Sequence, residues 1–79
     1  DLISVGRNPE SDIFLDDVTV SRKHAQFQRS GSGYAVQDSG SLNGTYVNGE
    51  LAERTELING DSVQIGKYRL LYMTNGGKK

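Results

Sequence analysis

The length, composition and charge of the chain limit what it can be. Its 79 residues suffice for one small domain, and the absence of cysteine excludes a disulfide framework or a cysteine-based metal site. The formal net charge of −1 argues against a general nucleic-acid binder, which normally carries a strong basic excess. No apolar run is long enough to span a membrane, so we expect no membrane contact and a cytoplasmic location.

The predicted elements are short strands divided by turns. In chain order, we expect strands over residues 2–6, 12–17, 18–20, 23–30, 34–39 and 45–47, a short element with a turn over 55–60, and two strands or one bulged strand over 61–73. Turns are expected around Pro9 and over residues 31–33 and 40–44. Four Asn-Gly pairs support this interpretation, because Asn-Gly supplies the positive φ angles of a type I′ hairpin turn.

Short strands with glycine-rich turns, and no segment with the apolar period of a helix, predict an all-β sandwich of two antiparallel sheets. We expect a single domain over residues 1–73, followed by a polar, disordered tail over 74–79.

A polar quartet, "SRKH" at 21–24, lies between the predicted strands and contains the only histidine of the chain. Ser21 and His24 suggest a hydrolase, with Asp38 orienting the imidazole. No G-x-S-x-G turn surrounds Ser21, however, and residues three apart on a strand point to opposite faces. We therefore expect no enzyme.

Two other kinds of site fit the sequence poorly. Asp12, Asp16 and Asp17 lie close together but lack the spacing of a calcium loop, so we predict no metal and no cofactor. The glycines of 31–36 and 60–67 only partly match nucleotide-binding loops, and we interpret them as hairpin glycines.

A phosphate pocket fits best among these alternatives. A phosphorylated side chain calls for a guanidinium fork, a hydroxyl donor and backbone N–H groups at loops. Arg7 follows Gly6 at a strand end, Ser21 and Arg22 lie at a corner between strands, and a glycine-flanked loop carries Ser41, Leu42 and Asn43. Loops at one end of a sandwich can converge on such a site.

Three dispersed motifs, "GR" at 6–7, "SRKH" at 21–24 and "SLNGTYVNG" at 41–49, together resemble the forkhead-associated (FHA) domain. This similarity covers most of residues 3–73. It implies an FHA-like β-sandwich that binds phosphothreonine peptides through loops at one end.

The resemblance also implies roles for single residues. Arg7 and Ser21 would contact the phosphate, Arg22 would add a phosphate or peptide contact, and Asn43 would hold the peptide main chain. Leu42 replaces the threonine or serine of many members, so only its backbone N–H remains as a donor. We include Ser41 in this phosphothreonine-binding set. The residues expected to shape the site are Gly6, His24, Gly44, Thr45, Asn48 and Gly49.

A closer similarity, in "SDIFLDDVTVSRKHAQF" and "VQIGKYRL", is to small actinobacterial FHA regulators of Ser/Thr-kinase signalling. It implies three candidate partners: a Ser/Thr protein kinase, a phosphorylated tail of the same parent protein, and 2-oxoglutarate dehydrogenase-type enzymes.

One feature departs from the family. Two further strands normally precede the one that ends in Gly6-Arg7, and here they are missing, so we expect an uncovered sheet edge. The alternative function is therefore a phospho-independent structural or protein-interaction sandwich that uses its sheet face or edge.

Overall fold

A computed structural model describes residues 2–74 of the chain; the predicted tail beyond Thr74 lies outside the described residues. The strands are β1 (Leu2–Gly6), β2 (Ile13–Phe14), β3 (Ala25–Ser30), β4 (Gly33–Asp38), β5 (Thr45–Val47), β6 (Glu50–Leu51), β7 (Arg54–Glu56), β8 (Ser62–Ile65) and β9 (Tyr68–Leu71). They form one sheet in the order β2-β1-β3-β4-β7 and a second in the order β6-β5-β8-β9. No helix occurs within residues 2–74, which confirms the prediction of an all-β sandwich.

The core lies between the two sheets and is built mainly from β-branched side chains, which suit a pleated, half-buried surface. Val5 and Val36 face it from the first sheet, and Val63 and Ile65 face it from the second; each is almost completely buried. Val20 joins this cluster from a loop. The loop that carries the polar quartet is therefore anchored in the core at its first turn.

One predicted strand was too long, and another was wrong. Only Ile13 and Phe14 of the segment 12–17 pair as a strand, and β2 runs parallel to β1 rather than antiparallel. Residues 18–20 belong to a tight turn, not a strand, because the Val20 N–H donates to the carbonyl of Asp17 at 3.0 Å. The Asp17 carboxylate also accepts the Thr19 N–H at 2.9 Å, a local bond that competes with strand pairing.

The Asn-Gly pairs do not all form the same turn. Asn48 and Gly49 both have positive φ angles, of 52° and 86°, as a type I′ hairpin turn requires. Within residues 2–74, Asn43-Gly44 and Asn59-Gly60 have a positive φ only at the glycine. The fourth pair, at 75–76, lies outside the described residues.

Strand β9 forms an edge of the second sheet and has no strand beyond it among residues 2–74. A groove of about 470 Å³ opens beside it between the sheets, with mostly apolar walls that include Ile3, Phe27, Leu70 and Tyr72. Unpaired backbone groups next to an apolar groove are a template for pairing with another chain.

We expect the 79-residue chain to self-associate through this edge as its concentration rises. Sedimentation velocity over a concentration series measures this, with Leu71→Lys as the variant that places a charge on the edge, where Leu71 is 63% exposed. Association should weaken in the variant. A wild-type chain that stays monomeric throughout the series would contradict the prediction.

Candidate functional site

Gly6 ends β1 where this strand is crossed by the quartet loop, the segment that carries the polar quartet at residues 21–24. A Cβ atom at this position would lie 2.0 Å from the Arg22 carbonyl oxygen and 3.2 Å from that of Ser21. The absence of a side chain lets the two backbones approach, and the Arg7 N–H then donates to the Ser21 carbonyl at 2.9 Å. Gly6 therefore brings Arg7 and Ser21 into one site.

Replacing Gly6 by alanine should break this contact, because the nearest atoms are backbone and cannot rotate away. We expect a fall in the free energy of unfolding of about 1–3 kcal/mol, as for other overpacked sites. Chemical denaturation measures it. Gly31→Ala, at a glycine whose added Cβ meets nothing within 4 Å but whose φ is +60°, controls for glycine replacement at a strained but open position. Equal losses in both variants would contradict the role given to close approach.

The Arg7 guanidinium makes one hydrogen bond within the described chain, through Nε, and its terminal nitrogens are open to a ligand. Its Nε donates to the Val20 carbonyl at 2.9 Å, which fixes the plane of the guanidinium. Its two terminal nitrogens make no hydrogen bond to any residue in the described range, and the side chain is exposed. Such a fork suits a tetrahedral or planar anion.

Ser21 presents an oriented hydroxyl. Its Oγ accepts the backbone N–H of Leu42 at 2.9 Å, so the hydroxyl hydrogen remains for another acceptor. The resemblance left the Leu42 N–H as a phosphate donor, but the structure places that N–H on Ser21. The Leu42 N–H thus positions the Ser21 hydroxyl.

His24 ties the quartet loop to the next loop. Its ring is completely buried. Nδ1 accepts the Ser21 N–H at 3.0 Å, so Nε2 carries the proton and donates to the Gly44 carbonyl at 2.8 Å. Both ring nitrogens are used by the backbone, and neither reaches the Ser21 hydroxyl. In this geometry, His24 is not placed to take a proton from the Ser21 hydroxyl.

Asp38, at the end of β4, organises the third loop of the site, which covers residues 39–44 between β4 and β5. Its carboxylate accepts the N–H groups of Gly40 and Ser41 at 2.9 and 3.0 Å, the Ser41 hydroxyl, and the Thr45 hydroxyl at 2.7 Å. Thr45 is completely buried. Burial opposes ionisation of Asp38, but the hydrogen bonds, led by that of Ser41, outweigh it and lower its pKa.

Ser41 is fully occupied within this loop. It donates its hydroxyl to Asp38 and accepts the Gly44 N–H at 2.9 Å, which leaves it no hydrogen for a ligand. The Ser41 hydroxyl therefore braces the loop, and its place among the phosphothreonine-binding residues stays a prediction.

Asn43 links the third loop to the turn at 17–20. Its Nδ2 donates to the Thr19 carbonyl at 3.0 Å, while the side chain stays exposed and its Oδ1 has no partner in the described chain. Thr19 is itself fixed by Asp17 and by Lys67, whose N–H donates to the Thr19 hydroxyl at 2.9 Å. An acceptor and an amide hydrogen of Asn43 remain for a peptide main chain.

Asn48 and Gly49 lie elsewhere. They form the turn at the opposite end of β5 from Gly44, where the Asn48 side chain bonds Asp61 and the N–H of Ser62 at 2.9 and 3.0 Å. They shape a hairpin, as predicted, but they are not part of the loop cluster with His24 and Gly44.

The site is locally cationic although the chain is not. Arg22 and Lys23 follow Ser21, and their exposed side chains make no hydrogen bond or ion pair with any residue of 2–74. With Arg7, on the adjoining loop after β1, they place three cations at this end of the sandwich. In the neighbouring turn, the Asp17 carboxylate is paired with the Lys67 ammonium at 3.2 Å. These three cations favour the approach of an anion to the loops.

The acid stability of the site depends partly on Asp17. Hydrogen bonds from the Thr19 hydroxyl and N–H, assisted by Lys67, lower its pKa to about 2. A carboxylate with a depressed folded-state pKa stabilises the fold above its unfolded value, near 4, and this contribution is lost as the pH falls toward 2.

We therefore expect Asp17→Asn to lower the melting temperature at pH 7 and to make its fall between pH 4 and pH 2 shallower. Melting curves recorded across this range provide the measurement. Asp16→Asn, at a neighbouring carboxylate without a hydrogen bond in the described chain, is the control. An unchanged pH slope in Asp17→Asn would refute the assignment.

Sequence reasoning missed Asp38, Thr19 and Asp17 as structural supports of the site. The available signal was the spacing of Asp38 to Gly40 and Ser41, and of Asp17 to Thr19, which is typical of aspartate-capped turns.

The three acidic residues near β2 hold no common site: Asp12 bonds Ser4, and no group of three or more His, Asp or Glu within residues 2–74 is arranged to hold a metal ion. Nor is any helix of residues 2–74 long and apolar enough to cross a membrane.

The chain is similar to known proteins over most of its length. The sequence model of the FHA domain matches residues 3–66. The oxoglutarate dehydrogenase inhibitor of Corynebacterium jeikeium is 60% identical over 76 residues, which make up 96% of this chain and 52% of that protein. The glycogen accumulation regulator GarA of Mycolicibacterium smegmatis is 62% identical over 71 residues, or 90% of this chain and 45% of that protein.

A solved structure gives the same result at lower identity. It comes from a structural and functional analysis of phosphothreonine-dependent FHA domain interactions, is 27% identical and has a TM-score of 0.87, over 92% of this chain and 76% of that chain. This chain spans about half the length of the curated relatives it matches. The family match and the identities near 60% confirm the resemblance drawn from the three motifs: the chain belongs to the FHA domain family.

Proposed function

We propose that this chain is a non-catalytic module that binds phosphothreonine-containing proteins or peptides through the loops that follow β1, β2 and β4. The observation that carries the proposal is the pairing of two oriented donors. The Arg7 guanidinium is fixed by Val20 with its terminal nitrogens open, and the Ser21 hydroxyl is fixed by Leu42 with its hydrogen open. A phosphate has three acceptor oxygens and about two negative charges, which suit such donors.

The ligand contacts divide among a few side chains. Arg7, Ser21 and Arg22 supply charge and a hydroxyl donor for the phosphate, and Asn43 holds the peptide main chain. His24, Asp38, Ser41 and Thr45 brace the loops. Leu42 acts on the phosphate through Ser21, because its N–H donates to the Oγ atom whose hydrogen the phosphate accepts.

The relatives suggest partners for the parent protein. Because one relative is an oxoglutarate dehydrogenase inhibitor, a 2-oxoglutarate dehydrogenase-type enzyme is one candidate. A Ser/Thr protein kinase and a phosphorylated tail of the same parent protein are the others, since both can supply a phosphothreonine. A cytoplasmic location is part of this proposal, because the candidate kinases and metabolic enzymes act on cytoplasmic substrates.

Calorimetry with three peptides of one sequence, bearing phosphothreonine, phosphoserine or unmodified threonine, tests the proposal. We expect measurable binding of the phosphothreonine peptide, weaker binding of the phosphoserine peptide and none of the unmodified one. Equal affinity for all three would overturn the proposal. The peptide should be drawn from a library selected on the chain, so that a poor flanking sequence does not mask binding.

A second candidate is a phospho-independent interaction module. The open β9 edge and the apolar groove between Ile3, Phe27 and Tyr72 favour it, because both are suited to protein contact. A partner whose binding survives Arg7→Ala but is lost in Leu71→Lys would support this alternative.

A further inference from the structure

Two aliphatic side chains stand out from the surface beside the site. Val18 and Leu42 are each 90% exposed, more than any other large hydrophobic side chain of residues 2–74, the rest of which are 70% exposed or less. Side chains this exposed bury almost no area in the fold, so core stability does not account for them. Single exposed apolar residues are common, and it is the location of these two that is informative.

Both residues lie directly next to the groups that hold the candidate ligand contacts. The Leu42 N–H is the donor that fixes the Ser21 hydroxyl, at 2.9 Å. Val18 precedes Thr19, whose carbonyl accepts the Asn43 amide at 3.0 Å. The two side chains therefore belong to neighbouring loops that are joined by hydrogen bonds at Ser21 and Asn43.

The backbone under each side chain is fixed. The turn that carries Val18 is closed by Val20 on Asp17 at 3.0 Å, and the Lys67 ammonium lies 3.2 Å from the Asp17 carboxylate. The loop that carries Leu42 is held by the hydrogen bonds that Asp38 accepts. Apolar groups held in place before binding lose little conformational entropy when a ligand covers them.

We propose that Val18 and Leu42 form an apolar rim of the phosphate site, which selects phosphothreonine peptides with a large apolar side chain within three residues of the phosphorylated threonine. The proposal rests on the proposed function of the site. The cations and the Ser21 hydroxyl bind the phosphate of any phosphothreonine peptide. The rim adds a contact that only some flanking sequences can make, because burying apolar surface requires an apolar partner.

The test uses one peptide series and four proteins. The series has a phosphothreonine flanked by alanines, with leucine placed singly at each position within three residues on either side. The proteins are the wild type, Val18→Ala with Leu42→Ala, Arg7→Ala, and Ile58→Ala. Ile58 is the control, because it is also largely exposed but lies away from the site. The Asp61 N–H closes the Ile58 turn, and Asp61 accepts a hydrogen bond from Asn48, in the hairpin at the opposite end of β5 from Gly44.

Fluorescence anisotropy should give at least one leucine peptide that the wild type binds roughly three- to tenfold more tightly than the all-alanine peptide, as partial burial of one aliphatic side chain provides. In the double variant, this preference should fall below about twofold, with the melting temperature unchanged. Ile58→Ala should keep the full preference.

Different results overturn different claims. The apolar rim would be overturned by a wild type that binds all peptides of the series equally, or by a double variant that keeps the leucine preference. In either case the proposed phosphate binding would still stand if Arg7→Ala weakens the binding of every peptide. A wild type that binds no phosphopeptide of the series or of a selected library would overturn the proposed function, and the rim with it.

Discussion

Replacing Arg7 by alanine is expected to weaken binding of a phosphothreonine peptide by about tenfold to a hundredfold. The guanidinium has two unbonded terminal nitrogens, and the expected net loss is that of one hydrogen bond from a charged donor, about 1.5–3 kcal/mol at about 1.4 kcal/mol per factor of ten. Calorimetry with the peptide that the wild type binds best measures the loss.

Two further variants separate fork geometry from charge. Arg7→Lys keeps the charge but loses the fork and the Nε bond to Val20, so its affinity should lie between those of the wild type and Arg7→Ala. Arg29→Ala removes the same charge near the far end of β3 and should change the affinity less than about twofold at moderate salt. If Arg29→Ala weakens binding as much as Arg7→Ala, a general field binds the phosphate and the site as described is wrong.

Much of the fold could be predicted from the sequence because its signals are local. The alternation of Val63 and Ile65 and the run at 2–6 correspond to β8 and β1 as expected. The segment 18–20 also alternates, yet it forms a turn, because the carboxylate of Asp17 caps the Thr19 N–H and only Val20 reaches the core. A hydrogen bond of this kind outweighs strand propensity, and alternation over three residues is too short to reveal it.

The site could be predicted only in part. The motif positions predicted Arg7, Ser21 and Asn43 as ligand contacts, and in the structure these residues lie on neighbouring loops. The bracing role of Ser41 depends on a carboxylate from the end of β4, and the position of the Asn48 turn depends on the direction of β5. Both are matters of three-dimensional packing, which residue type and spacing in the sequence do not fix.

Replacing His24 by alanine should lower the stability of the fold before it affects ligand contacts. The ring is fully buried, and its removal leaves a cavity together with the Ser21 N–H and the Gly44 carbonyl without partners. Each unsatisfied buried group costs about 1–3 kcal/mol, so we expect a loss of about 3–5 kcal/mol. In a domain of this size, each kcal/mol shifts the melting temperature by about 4–8 °C.

Since the stability of small domains is about 5–15 kcal/mol, His24→Ala can leave little folded protein, and two milder variants keep the claim testable. His24→Asn retains an acceptor near Nδ1 for the Ser21 N–H, and His24→Gln retains a donor that can reach toward Gly44. Both should melt between the wild type and His24→Ala and should bind the phosphopeptide at temperatures where they are folded. A structural brace predicts this order, because the free energy of unfolding then depends on how many of the two backbone partners keep a bond. If His24 instead contacted the ligand, affinity would fall in the folded variants without a matching loss of stability, and the bracing role would be wrong.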